Sequence, residues 1–185
     1  MQKSIAILRE EVLARGGLSL RTAGLTLLAG TALAATQTVT AASGFVSTTD
    51  EHGSTLSRID LGNGETQTTE IPISPHNVQV TPDHQWVLAV GEPGGHNDHG
   101  HSHGPGQLLV FNAGTFMSGP QSSIDVGEKP IQVHASTDGE HVYVANEGTR
   151  EAPGDSVSVI EEGSYMVAAT HSVGHGPNSI TWSKP

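Results

Sequence analysis

The chain has 185 residues, with 19 acidic side chains against 8 basic ones and a formal net charge of −11. That balance excludes nucleic acid as a partner, because phosphate binding needs a basic surface. It contains no cysteine, which excludes cysteine-based zinc frameworks and a Cys-x-x-Cys-His haem attachment, and fits an exported protein that never relied on disulfides. The length suits one modest domain or part of a larger one, and 23 glycines with 10 prolines predict many turns.

Lys3, Arg9, Arg15 and Arg21 form a long basic region ahead of an apolar run over residues 23–35. That run is shorter than the roughly 20 residues a membrane-spanning helix needs. Small residues follow it, and Ala32-Leu33-Ala34, Val39-Thr40-Ala41 and Thr40-Ala41-Ala42 are candidate cleavage sites. This is the layout of a secretory signal peptide over residues 1–42, without a paired-arginine export motif; an uncleaved anchor is the alternative. Cleavage removes four of the 8 bases and two of the 19 acids, so the mature chain keeps 4 bases, 17 acids and all 11 histidines. The expected location is the periplasm or the exterior, and the expected folded domain covers residues 43–185.

From residue 44 onward the chain reads as short β-branched runs bounded by Gly, Pro, Asn and Asp, the pattern of strands and turns. Taken in order, Gly44–Thr49, Ser54–Asp60 and Thr66–Ile71 are followed by Pro75–Asp83 and Trp86–Glu92. The histidine-rich stretch comes next, then Gln107–Asn112, Ser122–Val126, Pro130–Asp138, His141–Glu147, Ser156–Glu161, Met166–His171 and Pro177–Ser183. Pro75-His76-Asn77-Val78, Pro130-Ile131-Gln132-Val133 and Pro177-Asn178-Ser179-Ile180 align without gaps, at separations of 55 and 47 residues. The longer interval contains the histidine stretch, so the repeat has a period in the forties and the stretch is an insertion. Asp83-His84 and Asp138-Gly139 are expected hairpin turns, and no helix is needed after residue 42.

Four strands per unit at this period predict an all-β fold of four-stranded antiparallel β-propeller blades. About three blades are present, with expected limits near residues 44–83, 84–138 and 139–185. Closed propellers use about 4–8 blades, so the chain is expected to be a partial or shortened propeller, or half of a dimeric ring closed by two copies. The sequence Pro75-His76-Asn77-Val78, Thr81-Pro82-Asp83, Val142-Tyr143-Val144-Ala145-Asn146-Glu147-Gly148 and Asp155-Ser156-Val157-Ser158-Val159-Ile160 resembles the YVTN-type propeller repeat. That repeat is known from surface-layer and periplasmic propellers, with relatives in haem d1 nitrite reductases and nitrous oxide reductases. The resemblance covers about residues 44–185 and implies a fold more than an activity.

The insertion at 93–106 is the densest chemistry in the chain. His96, Asp98, His99, His101 and His103 put four imidazoles and a carboxylate within eight residues, between Pro93-Gly94 and Pro105-Gly106. Imidazole is the commonest protein ligand for zinc and also suits copper and nickel, and the small residues between the rings permit a bent loop. The competing reading is a solvated low-complexity loop that meets metal only incidentally. Alternate connections of an up-and-down blade share an end, so this insertion, His52, His76 and His175 are expected on one rim, where His76 and His175 complete a coordination shell. His76 and His175 as backbone-bonded caps at blade entries is the alternative. His84 and His141 are expected on the opposite rim. His134 is expected in the core, and Trp86, Tyr143 and Trp182 in the packing between sheets.

The leading functional expectation is a periplasmic metal-binding propeller that buffers or delivers Zn2+, with Cu2+ or Ni2+ as alternatives. The chain is similar in export signal, acidity, repeat type and histidine loop to the histidine-rich propellers that act as zinc metallochaperones. That likeness implies a metal transporter or solute-binding protein as partner. A protein-interaction propeller with an incidental histidine loop is the second expectation. An enzyme of lactonase or reductase type is the third and weakest, since no nucleophile triad is visible and the sequence favours a non-enzyme.

Overall fold

Runs of Val, Ile, Leu, Thr and Ser interrupted by Gly, Pro and Asx turns fold into eleven strands among the described residues, which are 43–94 and 104–184 of a computed structural model. They are β1 (Phe45–Asp50), β2 (Thr55–Asp60), β3 (Thr66–Glu70), β4 (Ile73–Val80), β5 (Trp86–Pro93), β6 (Gln107–Asn112), β7 (Ser122–Asp125), β8 (Pro130–Ala135), β9 (His141–Gly148), β10 (Pro153–Glu161) and β11 (Val167–Ser172). One 3-10 turn, Phe116–Ser118, interrupts the β6–β7 connection. All neighbours pair antiparallel, in sheets ordered β1-β2-β3, β4-β5-β6-β7 and β8-β9-β10-β11. The chain is a partial β-propeller. No described helix is long and apolar enough to cross a membrane.

The hydrogen bonding shifts the blade limits by one strand. Pro75–Asp83, expected to close the first unit, forms β4 and opens the second sheet, because the tight turn at 81–86 ties it to β5; β8 likewise opens the third. The expected twelfth strand, Pro177–Ser183, pairs with no strand among the described residues. The proposed signal peptide over 1–42, and His96, Asp98, His99, His101 and His103, lie outside the described residues.

The second sheet is buried on both faces. Successive side chains of a strand point to opposite sides, and here both sides are apolar. Val87, Ala89, Leu109 and Phe111 face Leu56 of the first sheet and Ile71 just after β3, while Leu88, Val90, Leu108 and Val110 face Val133, Val142, Val144 and Ile160 of the third. That accounts for the unbroken apolar runs Val87–Val90 and Leu108–Phe111. Each of these Val, Leu, Ile and Phe side chains contributes about 1.5–3 kcal/mol by its burial. Trp86 meets Tyr165 edge-on at 5.8 Å, and Arg58 lies 4.5 Å from the ring centres of both Phe45 and Phe116. Tyr143 stacks on His141 at 6.1 Å. His134, expected in the core, is only half-buried, because its side of β8 is less covered than that of Val133 and Ala135.

Neighbouring sheets are also joined at their inner strands by side-chain amides. Asn77 Oδ1 accepts from Val133 N at 3.2 Å, and Gln79 Oε1 accepts from Ala135 N at 2.7 Å. The repeat continues one step further, since Gln132 Oε1 accepts from Ile180 N at 3.0 Å. Gln132 aligns with Asn77 and Ile180 with Val133, so residues 177–183 stand beside β8 as β8 stands beside β4.

The two β-turns after the inner strands are bonded alike. Thr81 Oγ1 accepts from Trp86 N and donates to Asp83 Oδ1, which also accepts from Gln85 N. Ser136, Asp138, Glu140 and His141 repeat the arrangement. These bonds, the hydroxyl first, hold the carboxyls of Asp83 and Asp138 below their ordinary value of 3.8. The position after each aspartate is left-handed, with φ of 61° at His84 and 74° at Gly139. A side chain there costs roughly 1 kcal/mol, so His84→Gly should raise the melting temperature and Gly139→His should lower it, by calorimetry. The depressed carboxyls contribute stability above 3.8 that is lost as pH falls through their lower folded values. Replacing both with asparagine should therefore flatten the acid limb of a stability–pH curve.

Candidate cation-binding rim

Antiparallel ladders send alternate connections to one end of the sheets. The β1–β2, β3–β4, β5–β6, β7–β8 and β9–β10 connections, and the segment after β11, therefore share a rim. His76 enters this rim from β4, at the register shift between Pro75 and Asn77. The strands approach closely there, and a Cβ on Gly91 would lie 2.1 Å from the Ser74 carbonyl oxygen. The His76 side chain is 9% exposed, with Nδ1 3.8 Å from Glu51 Oε1 and Nε2 3.7 Å from Glu92 Oε2. Its Nε2 is buried without a hydrogen-bond partner, leaving a ring nitrogen between two sheets with a carboxylate on each side.

Lys129 extends the band to the third sheet. Its Nζ donates to Glu147 Oε2 at 2.8 Å. This bond, with the fields of Glu147, Glu92 and Glu51, raises its pKa above 10.5, against the lowering effect of partial burial. Glu92 and Glu147 occupy the same repeat position, near the end of the second strand of each full sheet. The rim thus runs Glu51, His76, Glu92, Lys129, Glu147, with carboxylates in excess.

Both stems of the histidine insertion are fastened to this rim. Gly94 N donates to Pro72 O at 3.4 Å, Gly106 N to Gly127 O at 3.0 Å, and Val126 N to Gly106 O at 2.8 Å. Beside the second stem lies an open groove of about 790 Å³, lined by Gly104, Pro105, Val126, Glu128, Glu151 and Ala152. His175 is exposed on the same rim but beside the third sheet, where Gly176 N bonds Gly154 O at 2.7 Å and Val173 N bonds Asp155 O at 2.6 Å. His76 instead meets Glu51 and Glu92. Among the described residues no three His, Asp or Glu side chains converge as a metal shell. The opposite rim holds Glu162, whose carboxyl is raised by burial and by Asp83 and Asp138, and Tyr165, pushed up to about 12 mainly by burial.

Of the rim residues, Glu51, Glu92, Lys129 and Glu147 were not among the sequence candidates. The repeat alignment of Glu92 with Glu147 was the available signal. Nothing in the sequence marks Glu51 or Lys129, which reach the site only through sheet stacking.

No family model and no curated protein matches the chain. Among solved structures it is similar to Kuenenia stuttgartiensis hydrazine synthase, at 19% identity and a TM-score of 0.54, over 76% of this chain and 40% of that one. The dihydro-heme d1 dehydrogenase NirN in complex with DHE matches at 11% identity and a TM-score of 0.49, over 69% of this chain and 25% of that one. The chain therefore spans well under half the length of these neighbours. The likeness to hydrazine synthase is one of fold.

The raised Lys129 contributes stability that is fully present below pH 10.5 and is lost as pH rises through its higher folded value. Both partners are partly exposed, at 34% and 29%, so the pair is worth at most about 1 kcal/mol. Glu147→Gln should cost no more than that at neutral pH and reduce the alkaline limb in an unfolding titration, leaving the part due to the raised Tyr165.

Proposed function

We propose that this chain is an exported, non-enzymatic, metal-binding β-propeller of the YVTN-repeat type, which buffers or delivers zinc through its histidine-rich segment. Copper and nickel suit the same donors. The observation that carries the reading is the ligand density of His96, Asp98, His99, His101 and His103, on stems tied to a rim where His76 has a buried, unpartnered ring nitrogen between Glu51 and Glu92. The described residues fit the role of supporting ligands, since His76 Nε2 has no other partner and neighbouring carboxylates favour a cation. They hold no complete shell, so the segment is assigned the primary capture.

In this reading the acidic rim concentrates cations near the segment, an effect that weakens with salt. Neutral imidazoles bind the ion and release it as pH falls toward about 6, where protons compete for the same lone pairs. The periplasm is the proposed compartment, and a metal transporter or its solute-binding protein the proposed recipient.

Calorimetric titration of zinc into the metal-free protein, and into a variant lacking 96–103, tests the assignment. The deletion should weaken binding by about tenfold or more, or about 1.4 kcal/mol. Unchanged stoichiometry and affinity would rule the segment out. Adding His76→Gln to the intact segment should give a smaller loss, which separates rim participation from capture.

A further inference from the structure

We propose that Lys129 is a tethered competitor for the rim's cation, displaced from Glu147 when a divalent ion enters between His76 Nε2 and Glu92. The inference rests on the cation-binding reading above. It adds the ligands that the rim supplies and the group that regulates them.

The spacing at His76 suits two ligands of one ion better than it suits a hydrogen bond. Nε2 lies 3.7 Å from Glu92 Oε2, whereas an N–H···O bond spans roughly 2.7–3.2 Å. Two ligands held at about 2.0–2.2 Å in a tetrahedral zinc shell stand roughly 3.3–3.6 Å apart. The His76 side chain is 9% exposed and this nitrogen is buried without a partner. An unpaired buried nitrogen costs free energy, which a bound cation recovers. On the other side of the ring, Nδ1 faces Glu51 Oε1 at 3.8 Å. A carboxylate there favours the tautomer with its proton on Nδ1, which leaves the Nε2 lone pair to coordinate. Glu92 is thus a ligand and Glu51 a positioning residue.

Lys129 already places a positive charge among the same carboxylates. Its Nζ bonds Glu147 Oε2 at 2.8 Å, and the fields of Glu92 and Glu51 act on it as well. Glu92 and Glu147 hold the same repeat position on neighbouring sheets, so one ammonium serves two equivalent acids. Main-chain bonds fasten it there. Glu147 N donates to Lys129 O at 3.0 Å, and Gly148 N to Glu128 O at 3.1 Å. Lys129 also adopts a left-handed backbone, with φ of 46°. A lysine in that conformation runs against backbone preference, which points to a use for its side chain.

Charge and ligand number make the two cations rivals. Glu51, Glu92 and Glu147 carry three negative charges against the one positive charge of Lys129, a difference that a divalent ion matches. With Lys129 in place Glu147 is engaged, and His76 and Glu92 fall short of the roughly four ligands that zinc takes. That accords with no three side chains forming a shell among the described residues. Release of Lys129 turns Glu147 into a third ligand, with water completing the shell. The lysine stays tethered beside the site, so it returns as the ion leaves. A rim tuned in this way hands its ion on rather than keeping it.

The test titrates zinc, at neutral pH, into the protein lacking 96–103, which isolates the rim. Lys129→Met in that background should tighten binding about two- to fivefold, the equivalent of a partly exposed ion pair. Lys129→Arg, which keeps the charge, should not tighten it. Adding His76→Gln to Lys129→Met should abolish the gain. A second measurement uses the intact protein, with Lys184, exposed near the opposite rim, as internal reference. Zinc should raise acylation of Lys129 severalfold relative to Lys184 by peptide mass spectrometry, and His76→Gln should cancel the rise. No zinc binding without 96–103, an affinity indifferent to Lys129→Met, or a Lys129 reactivity unmoved by zinc would each overturn the competition. A deletion of 96–103 that leaves total binding unchanged would instead remove the capture role of that segment and leave the rim site standing.

Discussion

The structure depends on a middle sheet with no solvent face. β4–β7 present one apolar row to the first sheet and the alternate row to the third, and each row is nearly inaccessible to water. A sheet built this way is stable only while walled on both sides, so the flanking sheets are held by the same contacts that stabilise it. Burial on this scale requires the strands between the turns to be short and apolar, and it sends the polar and charged residues to the two rims.

The rims differ in what that expulsion leaves behind. On one, Glu162 and Tyr165 are partly buried close to Asp83 and Asp138, which keeps the glutamate carboxyl raised. On the other, Glu51, Glu92 and Glu147 surround a buried imidazole and a single lysine bridge, beside the stems of the histidine insertion. Carboxylates arranged around imidazole nitrogen suit a cation, and the proposed metal-buffering role is built on that contrast.

Much of the fold was legible because the repeat is visible in residues. The Pro-x-x-Val inner strands, the Asp-Gly and Asp-His turns and the β-branched runs mark the strands and the propeller class in the residues alone. The sheet limits were less legible. A repeat fixes spacing but not where one sheet stops, and only the hydrogen bonds between β4 and β5 decide that Pro75–Val80 opens the second sheet. The site was legible in its histidines and not in its carboxylates. Glu51 and Glu92 are 41 positions apart and meet across His76 only because two sheets stack. His175 shows the limit of topology, which gives the correct edge without giving contact.

The amides of Asn77, Gln79 and Gln132 carry one further consequence. They fasten one inner strand to the next through flexible side chains rather than through a continuous backbone ladder. A ladder would impose a fixed spacing and twist between strands, whereas a side-chain clasp tolerates a range of angles. The wedge angle between consecutive blades is therefore set by side-chain volume in the intervening apolar layer, so rings of different circumference can be assembled from one repeat by changing a few methyl groups.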